Sequence, residues 1–149
     1  MAFIHYVLVI AAFCIADSMQ SPHELCANGP APKNVNIVGC SKLPCDLKRG
    51  SNVEAAIDFA VLANTKTLRP EVDVQIGNGH VKYPLPEQNA CKSLVGAECP
   101  LDKGEVVTYK LKMPVEKIYP KIALIIQLSL IDEHGDVQVC LRIPAKVVD

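Results

Sequence analysis

The cysteines of this chain constrain its fold more than any other feature. The sequence holds seven, and Cys14 lies in a largely apolar N-terminal stretch that ends in the small residue Ala16. That stretch is too short to cross a bilayer and ends as a signal peptidase site does, so we predict a signal peptide at residues 1–16. Its removal leaves 7 − 1 = 6 cysteines. An even number is what a disulfide framework requires.

Six cysteines allow fifteen disulfide pairings, and the length of the loops between them favours one. Cys40 with Cys45, and Cys91 with Cys99, each enclose a short turn that contains proline or polar residues. Cys26 and Cys140 then pair by elimination. A zinc site is disfavoured because no cysteine pair has zinc-finger spacing and no histidine follows at matching intervals.

Residues 17–149 then form one domain that is exported from the cell. The formal net charge is −1, with acidic and basic residues interspersed, which gives no electrostatic surface for nucleic acid. The sequence has no Asn-x-Ser/Thr site for glycosylation. We expect a secreted, extracellular protein, with the lysosomal lumen as a second location, that acts as a monomer and needs no cofactor or metal.

Apolar residues alternate with polar ones along most of this domain, and no segment keeps a helical period. Gly77-Asn78-Gly79 is a hairpin signal between two such segments. The predicted strands cover residues 35–38, 53–61, 72–76, 81–83, 107–113, 122–130 and 137–143. About seven short strands at this spacing predict an all-β protein, an immunoglobulin-like β-sandwich of two antiparallel sheets.

Two features should interrupt the strands. Lys48-Arg49-Gly50-Ser51 has the composition of a turn. Pro144 has no backbone N–H to donate, so we expect it to end pairing of the last strand in any central position.

Several motifs then give a specific resemblance. They are Val35–Gly50 with its first cysteine pair, Tyr83-Pro84-Leu85-Pro86-Glu87, Cys91-Lys92-Ser93, Cys99-Pro100-Leu101, Met113-Pro114-Val115, Tyr119-Pro120 and Cys140-Leu141-Arg142-Ile143-Pro144. In this order they resemble the Niemann-Pick type C2 proteins of the ML lipid-recognition family. The resemblance covers essentially all of residues 17–149, and the family includes arthropod members.

The resemblance implies a hydrophobic cavity between the two sheets and the three disulfides proposed above. The family's mouth residues fall on Tyr83, Val115 and Tyr119. Members bind sterols, fatty acids or other small hydrophobic ligands without catalysis. Some deliver sterol to a membrane transporter, so a transporter or a membrane surface is an implied partner, and others carry hydrophobic signals outside cells.

The walls of such a cavity would come from the inward residues of the strands. We assign ligand contact to Phe59, Leu128 and Leu141 in addition to the mouth. The further candidates are Val61, Val74, Val107, Leu111 and Ile126. Each ligand methylene buried against them would contribute about 0.8 kcal/mol. Plain core packing is the alternative role for each.

The sequence gives little support to functions other than ligand carriage. His23, His80 and His134 lie in expected loops or turns, and no serine sits in a nucleophile motif, which disfavours an enzyme. The acidic turn 132–136 lacks the spacing of a calcium loop. The main alternative is a secreted innate-immunity or receptor-binding module that recognises microbial lipids. A cationic rim would favour it, and its candidates are Lys82, Lys110, Lys112 and Lys117, diluted by Glu87 and Glu116.

Overall fold

The computed structural model describes residues 20–149. The predicted signal peptide at 1–16 therefore lies outside the described residues, as does the expected start of the domain at residue 17. Among the described residues, no helix has the length and apolarity needed to cross a membrane.

Ten strands and one short 3-10 helix make up the described chain. The strands are β1 (Glu24–Leu25), β2 (Asn34–Ile37), β3 (Cys45–Lys48), β4 (Asn52–Ala60), β5 (Leu68–Ile76), β6 (Gly79–Tyr83), β7 (Leu94–Val95), β8 (Val106–Pro114), β9 (Ala123–Asp132) and β10 (Val137–Val148), and the helix is Ala90–Ser93. The seven predicted strands correspond to β2, β4, β5, β6, β8, β9 and β10. The three additional strands have two to four residues each.

The strands form two sheets. One has the order β1-β10-β9-β5-β6, with β3 also beside β10, and the other has the order β2-β4-β8-β7. Neighbouring strands are antiparallel except that β3 runs parallel to β10. The all-β, immunoglobulin-like sandwich predicted from the sequence is confirmed.

The turn expected at residues 48–51 begins one residue later than predicted. Lys48 is the last residue of β3 and lies opposite Val148. Gly50 has φ +82°, a left-handed conformation that suits glycine because it has no Cβ. The turn therefore occupies the residues after Lys48 and leads directly into β4.

Pro144 does not end the last strand, because β10 continues to Val148. Val147 donates its N–H toward β9, to the carbonyl of Ile122. Because successive N–H groups alternate between the two edges of a strand, the Pro144 nitrogen points to the opposite edge. On that edge β10 pairs with β1 as far as Arg142, and its pairing with β3 begins at Ala145. The missing N–H thus falls in the gap between two neighbours.

Within residues 20–149, three disulfides form in the pairing expected from loop length: Cys26–Cys140, Cys40–Cys45 and Cys91–Cys99. The first spans 114 residues and fixes the start of the described chain to β10. The other two close loops with sequence separations of five and eight. Only the long one joins distant parts of the fold.

The core lies between the two sheets and follows the alternation of the strands. Val53, Ala55, Ile57 and Phe59 point inward from β4, and every second residue of β8 lies beside them on the same face of the four-stranded sheet. Phe59, Tyr109, Leu128 and Leu141 are among the most deeply buried side chains. The inner faces are therefore packed against each other through the middle of the sandwich.

Candidate ligand-binding cavity

A cavity of about 300 Å³ lies at one end of the sandwich, where the inner faces of the two sheets are not in contact. It is bounded by the β5–β6 hairpin, the end of β8 and the segment that connects β8 to β9, which we call the rim segment (residues 115–122). The lining residues are Leu47, Val74, Ile76, Val81, Tyr83, Met113, Pro114, Val115, Tyr119, Pro120, Ile122, Leu124 and Val147.

The chemistry of the lining is almost purely hydrocarbon. Apart from the Met113 thioether, Tyr83 and Tyr119 are the only lining residues whose side chains carry a polar atom. A wall of this kind binds apolar molecules without fixing their orientation, because the hydrophobic effect depends on the area removed from water. The cavity thus suits a small apolar molecule, and it offers two hydroxyls at most for polar recognition.

The β5–β6 hairpin leaves the cavity open on one side. Val81 lies opposite Val74 in the hairpin and shares its face of the sheet. Val74 is 7% exposed, whereas Val81 is 56% exposed and Ile76 is 40% exposed. The four-stranded sheet therefore covers Val74 but neither Val81 nor the end of β5, and this uncovered edge is an opening to solvent.

Backbone hydrogen bonds hold the rim segment at both ends. Val115 accepts from the Gly50 N–H at 2.6 Å and donates to the Ser51 carbonyl at 2.8 Å. At the other end, the Ile122 carbonyl accepts from Val147 at 3.0 Å. Between these points, Arg49 donates to the Tyr119 carbonyl at 3.4 Å. Ile118, at the tip, is 90% exposed.

The Tyr83 hydroxyl spans the mouth. It donates to the Pro114 carbonyl at 3.2 Å. Burial, together with the neighbouring Tyr119 hydroxyl, raises the pKa of Tyr83 to about 12. The phenol is consequently neutral at any physiological pH and remains a hydrogen-bond donor.

The structure brings together the three mouth residues, since Tyr83, Val115 and Tyr119 all line the cavity. Phe59, Leu128 and Leu141 lie elsewhere, in the packed middle of the core, each at 1% exposure or less. Their contact with a ligand stays a prediction. Of the further wall candidates, Val74 lines the cavity, whereas Val61, Val107, Leu111 and Ile126 do not.

Sequence reasoning missed much of the lining. Ile76, Leu124 and Val147 come from three different strands that meet only in the folded sheet. Ile76 could have been found, because it lies two residues after Val74 in the same strand and therefore points to the same face.

The lysines proposed as a cationic rim do not gather around the mouth. Lys110 and Lys112 alternate with the buried Leu111 and Met113, so they lie on the outer face of the four-stranded sheet. Lys82 lies on the outer face of the other sheet and is paired with Glu71. Of the four candidates, Lys117 alone belongs to the rim segment.

The histidines and the acidic turn take part in structural contacts. His23 contacts the Ser21 carbonyl, and His134 lies 3.6 Å from Glu133. His80 is on β6 rather than in a loop, 2.7 Å from Asp73. Within residues 20–149, no group of three or more His, Cys, Asp and Glu side chains is placed to hold a metal ion.

Fold and cavity together define a class: a disulfide-bonded β-sandwich that encloses an apolar cavity between its sheets. The ML-domain model matches residues 20–147. The chain therefore belongs to the ML-domain family.

Relatives of known description agree with this assignment. The chain is 34% identical to NPC intracellular cholesterol transporter 2 homolog a of Drosophila melanogaster, over 76% of this chain and 77% of that protein. It is 36% identical to the ecdysteroid-regulated 16 kDa protein of Manduca sexta, over 76% and 80%. The crystal structure of a Niemann-Pick type C2 protein from the Japanese carpenter ant superposes with a TM-score of 0.76 at 25% identity, covering 85% of this chain and 99% of that one.

Proposed function

We propose that this protein is a secreted, non-enzymatic carrier that holds a sterol, a fatty acid or a similar small hydrophobic ligand between its two sheets. The observation that carries the proposal is the cavity itself. It is lined by hydrocarbon and opens between Tyr83 and the rim segment. A pocket that is concave and mostly apolar, with few polar groups, is what a small-molecule site requires.

The names of similar proteins support a lipid as the ligand. The Drosophila relative is described as an intracellular cholesterol transporter homologue, and the structurally similar ant protein is a Niemann-Pick type C2 protein. Three disulfides suit an oxidising compartment outside the cytosol. A membrane surface or a membrane sterol transporter would then receive the ligand from a monomeric carrier.

The size of the cavity bears on the choice of ligand. About 300 Å³ is at the lower end of the range for small-molecule sites, roughly 300–1,000 Å³. A ligand larger than the cavity would require the two sheets to separate. Phe59, Leu128 and Leu141 lie between the sheets and would then become its inner walls, as predicted from the sequence.

Catalysis is not part of the proposal. Two tyrosine hydroxyls are the only side-chain donors in the lining, and the pKa of Tyr83 is raised to about 12, which disfavours a phenolate base. The cavity thus offers binding energy without a group suited to proton transfer or nucleophilic attack at neutral pH.

Native mass spectrometry of the secreted protein, followed by extraction and identification of the bound lipid, tests the proposal. We expect one apolar ligand per chain, and an emptied protein that takes up a fluorescent apolar probe and releases it to competing lipid. A folded protein that arrives empty and takes up no sterol, fatty acid or apolar probe would contradict it.

A further inference from the structure

Tyr83 and Pro114 meet across the mouth from opposite sheets. Tyr83 is the last residue of β6, at the edge of the six-stranded sheet, and Pro114 is the last residue of β8 in the four-stranded sheet. The hydrogen bond between them, 3.2 Å from the hydroxyl to the carbonyl, therefore crosses the gap between the sheets. We call it the clasp.

Among the described residues, no other side-chain hydrogen bond of β6 reaches the opposite sheet. The other side-chain contacts of this strand, His80 with Asp73 and Lys82 with Glu71, connect it to β5 in its own sheet. Within residues 20–149, the clasp is the one hydrogen bond that joins β6 to the four-stranded sheet. Since the exposed Val81 adds little packing there, β6 has few other contacts with the four-stranded sheet that would stop its end from moving outward.

A ligand that enters past the end of β6 must separate Tyr83 from Pro114, the residue just before the rim segment. From this geometry we infer that the Tyr83 hydroxyl controls the rate of ligand exchange rather than the affinity. The inference rests on the proposed function of the cavity. Because the clasp joins protein to protein, it can be present in both the empty and the filled state and absent only while a ligand passes.

Removal of the hydroxyl should therefore accelerate uptake and release together. Tyr83→Phe keeps the ring in the lining and deletes only the donor. A net hydrogen bond of ordinary strength corresponds to about a two- to tenfold change in each rate constant, with the dissociation constant nearly unchanged. A hydroxyl that instead bound the ligand's polar group would leave uptake alone, accelerate release and weaken affinity.

Stopped-flow fluorescence with N-phenyl-1-naphthylamine measures both rate constants. The matched control is Tyr109→Phe, the same chemical change in a buried tyrosine that does not line the cavity. We expect the control to exchange the probe at the wild-type rate. Unchanged rates in Tyr83→Phe, or faster release with proportionally weaker binding, would overturn the clasp while leaving the carrier function intact.

Hydrogen exchange provides a readout that needs no ligand. If the clasp restrains β6, the amides of residues 79–83 should exchange faster in ligand-free Tyr83→Phe than in wild type. The failure of wild type to take up any probe would count against the carrier function alone. Unaltered exchange at residues 79–83 would count against the clasp.

Discussion

Gln138 donates from Nε2 to the Asp132 carboxylate at 2.8 Å, and both side chains are buried. The other carboxylate oxygen of Asp132 accepts the backbone N–H groups of His134 and Asp136, each at 2.9 Å. Gln138 in turn accepts the Leu62 N–H at 2.8 Å. One buried carboxylate thus organises the β9–β10 turn and, through Gln138, the start of the β4–β5 connection.

Asp132→Asn should destabilise the fold. Burial opposes ionisation of Asp132, but the hydrogen bonds from Asp136, Gln138 and His134 outweigh it and lower its pKa. An amide would direct an N–H group at one of these donors, so we expect a loss of about 1–3 kcal/mol at neutral pH by urea unfolding. Asp136→Asn is the control, because the Asp136 side chain makes no hydrogen bond within the described chain.

The lowered pKa of Asp132 predicts that the protein loses folding stability in acid. A lowered native pKa contributes stability that is fully present above the unfolded value of 3.8 and is lost as the pH falls through the native pKa. Urea unfolding from pH 6 down to pH 2 should therefore show a steeper loss of stability for wild type than for Asp132→Asn. Parallel curves would show that the pKa of Asp132 does not differ between the folded and the unfolded protein.

Val115→Phe should block the cavity and leave the fold intact. Val115 is 3% exposed and lines the cavity, so a larger ring there would fill the space that a ligand needs. We expect at least a tenfold loss of probe affinity in a fluorescence titration. Val95→Phe, at a half-exposed position outside the lining, is the control and should bind normally. Normal binding by a folded Val115→Phe protein would refute the assignment of the mouth.

The long disulfide should stabilise the protein more than a short one. On the chain-entropy model, a bridge with a sequence separation of 114 contributes about 5 kcal/mol, and one with a separation of five contributes about 2 kcal/mol. Replacing Cys26 and Cys140 together by Ala should thus lower the free energy of unfolding more than replacing Cys40 and Cys45 does. Equal losses in urea titrations would contradict this order.

The variant Leu128→Ala tests whether Leu128 contacts a large ligand or only packs in the core. Leu128 is fully buried, so truncation should cost about 2–5 kcal/mol of stability. If the sheets part around a large ligand, affinity for a sterol should also fall, whereas affinity for a small probe that fits the existing cavity should not change. An unaltered sterol affinity, measured on folded protein, would make Leu128 a core residue only.

Alkaline pH should destabilise the fold through Tyr109. Burial, aided by the charge of Glu87, raises the pKa of Tyr109 from 10.0 to about 12. A raised native pKa means that the stability is fully present below pH 10 and declines as the pH rises toward 12. Urea unfolding between pH 8 and pH 12 should show a smaller decline for Tyr109→Phe than for wild type.

The strands that were predicted well have a strong local signal. Alternation alone located β4, β8 and β9 to within two residues at each end. β3 was missed because its alternation extends over only four residues, and because its partner in β10 is about a hundred residues away. Pro144 was misjudged because the gap between β1 and β3 arises only from the arrangement of three strands.

The cavity could be predicted only in part, for a related reason. The mouth residues Tyr83, Val115 and Tyr119 came from a family resemblance, since periodicity alone does not distinguish them from ordinary core residues. Whether an inward residue faces the opposite sheet or an open space depends on where the two sheets diverge. That divergence places Leu124 in the lining and Leu128, four residues further along β9, in the packed core.

The rim segment lies between strands rather than within one, since β8 ends at Pro114 and β9 starts at Ala123. Substitutions or changes of length at residues 116–121 would therefore reshape the mouth without shifting the register of either sheet. The residues that shape this part of the mouth are thus distinct from the residues that pair the strands. A duplicated copy of this sequence could acquire a new ligand while its strand pairing stays the same.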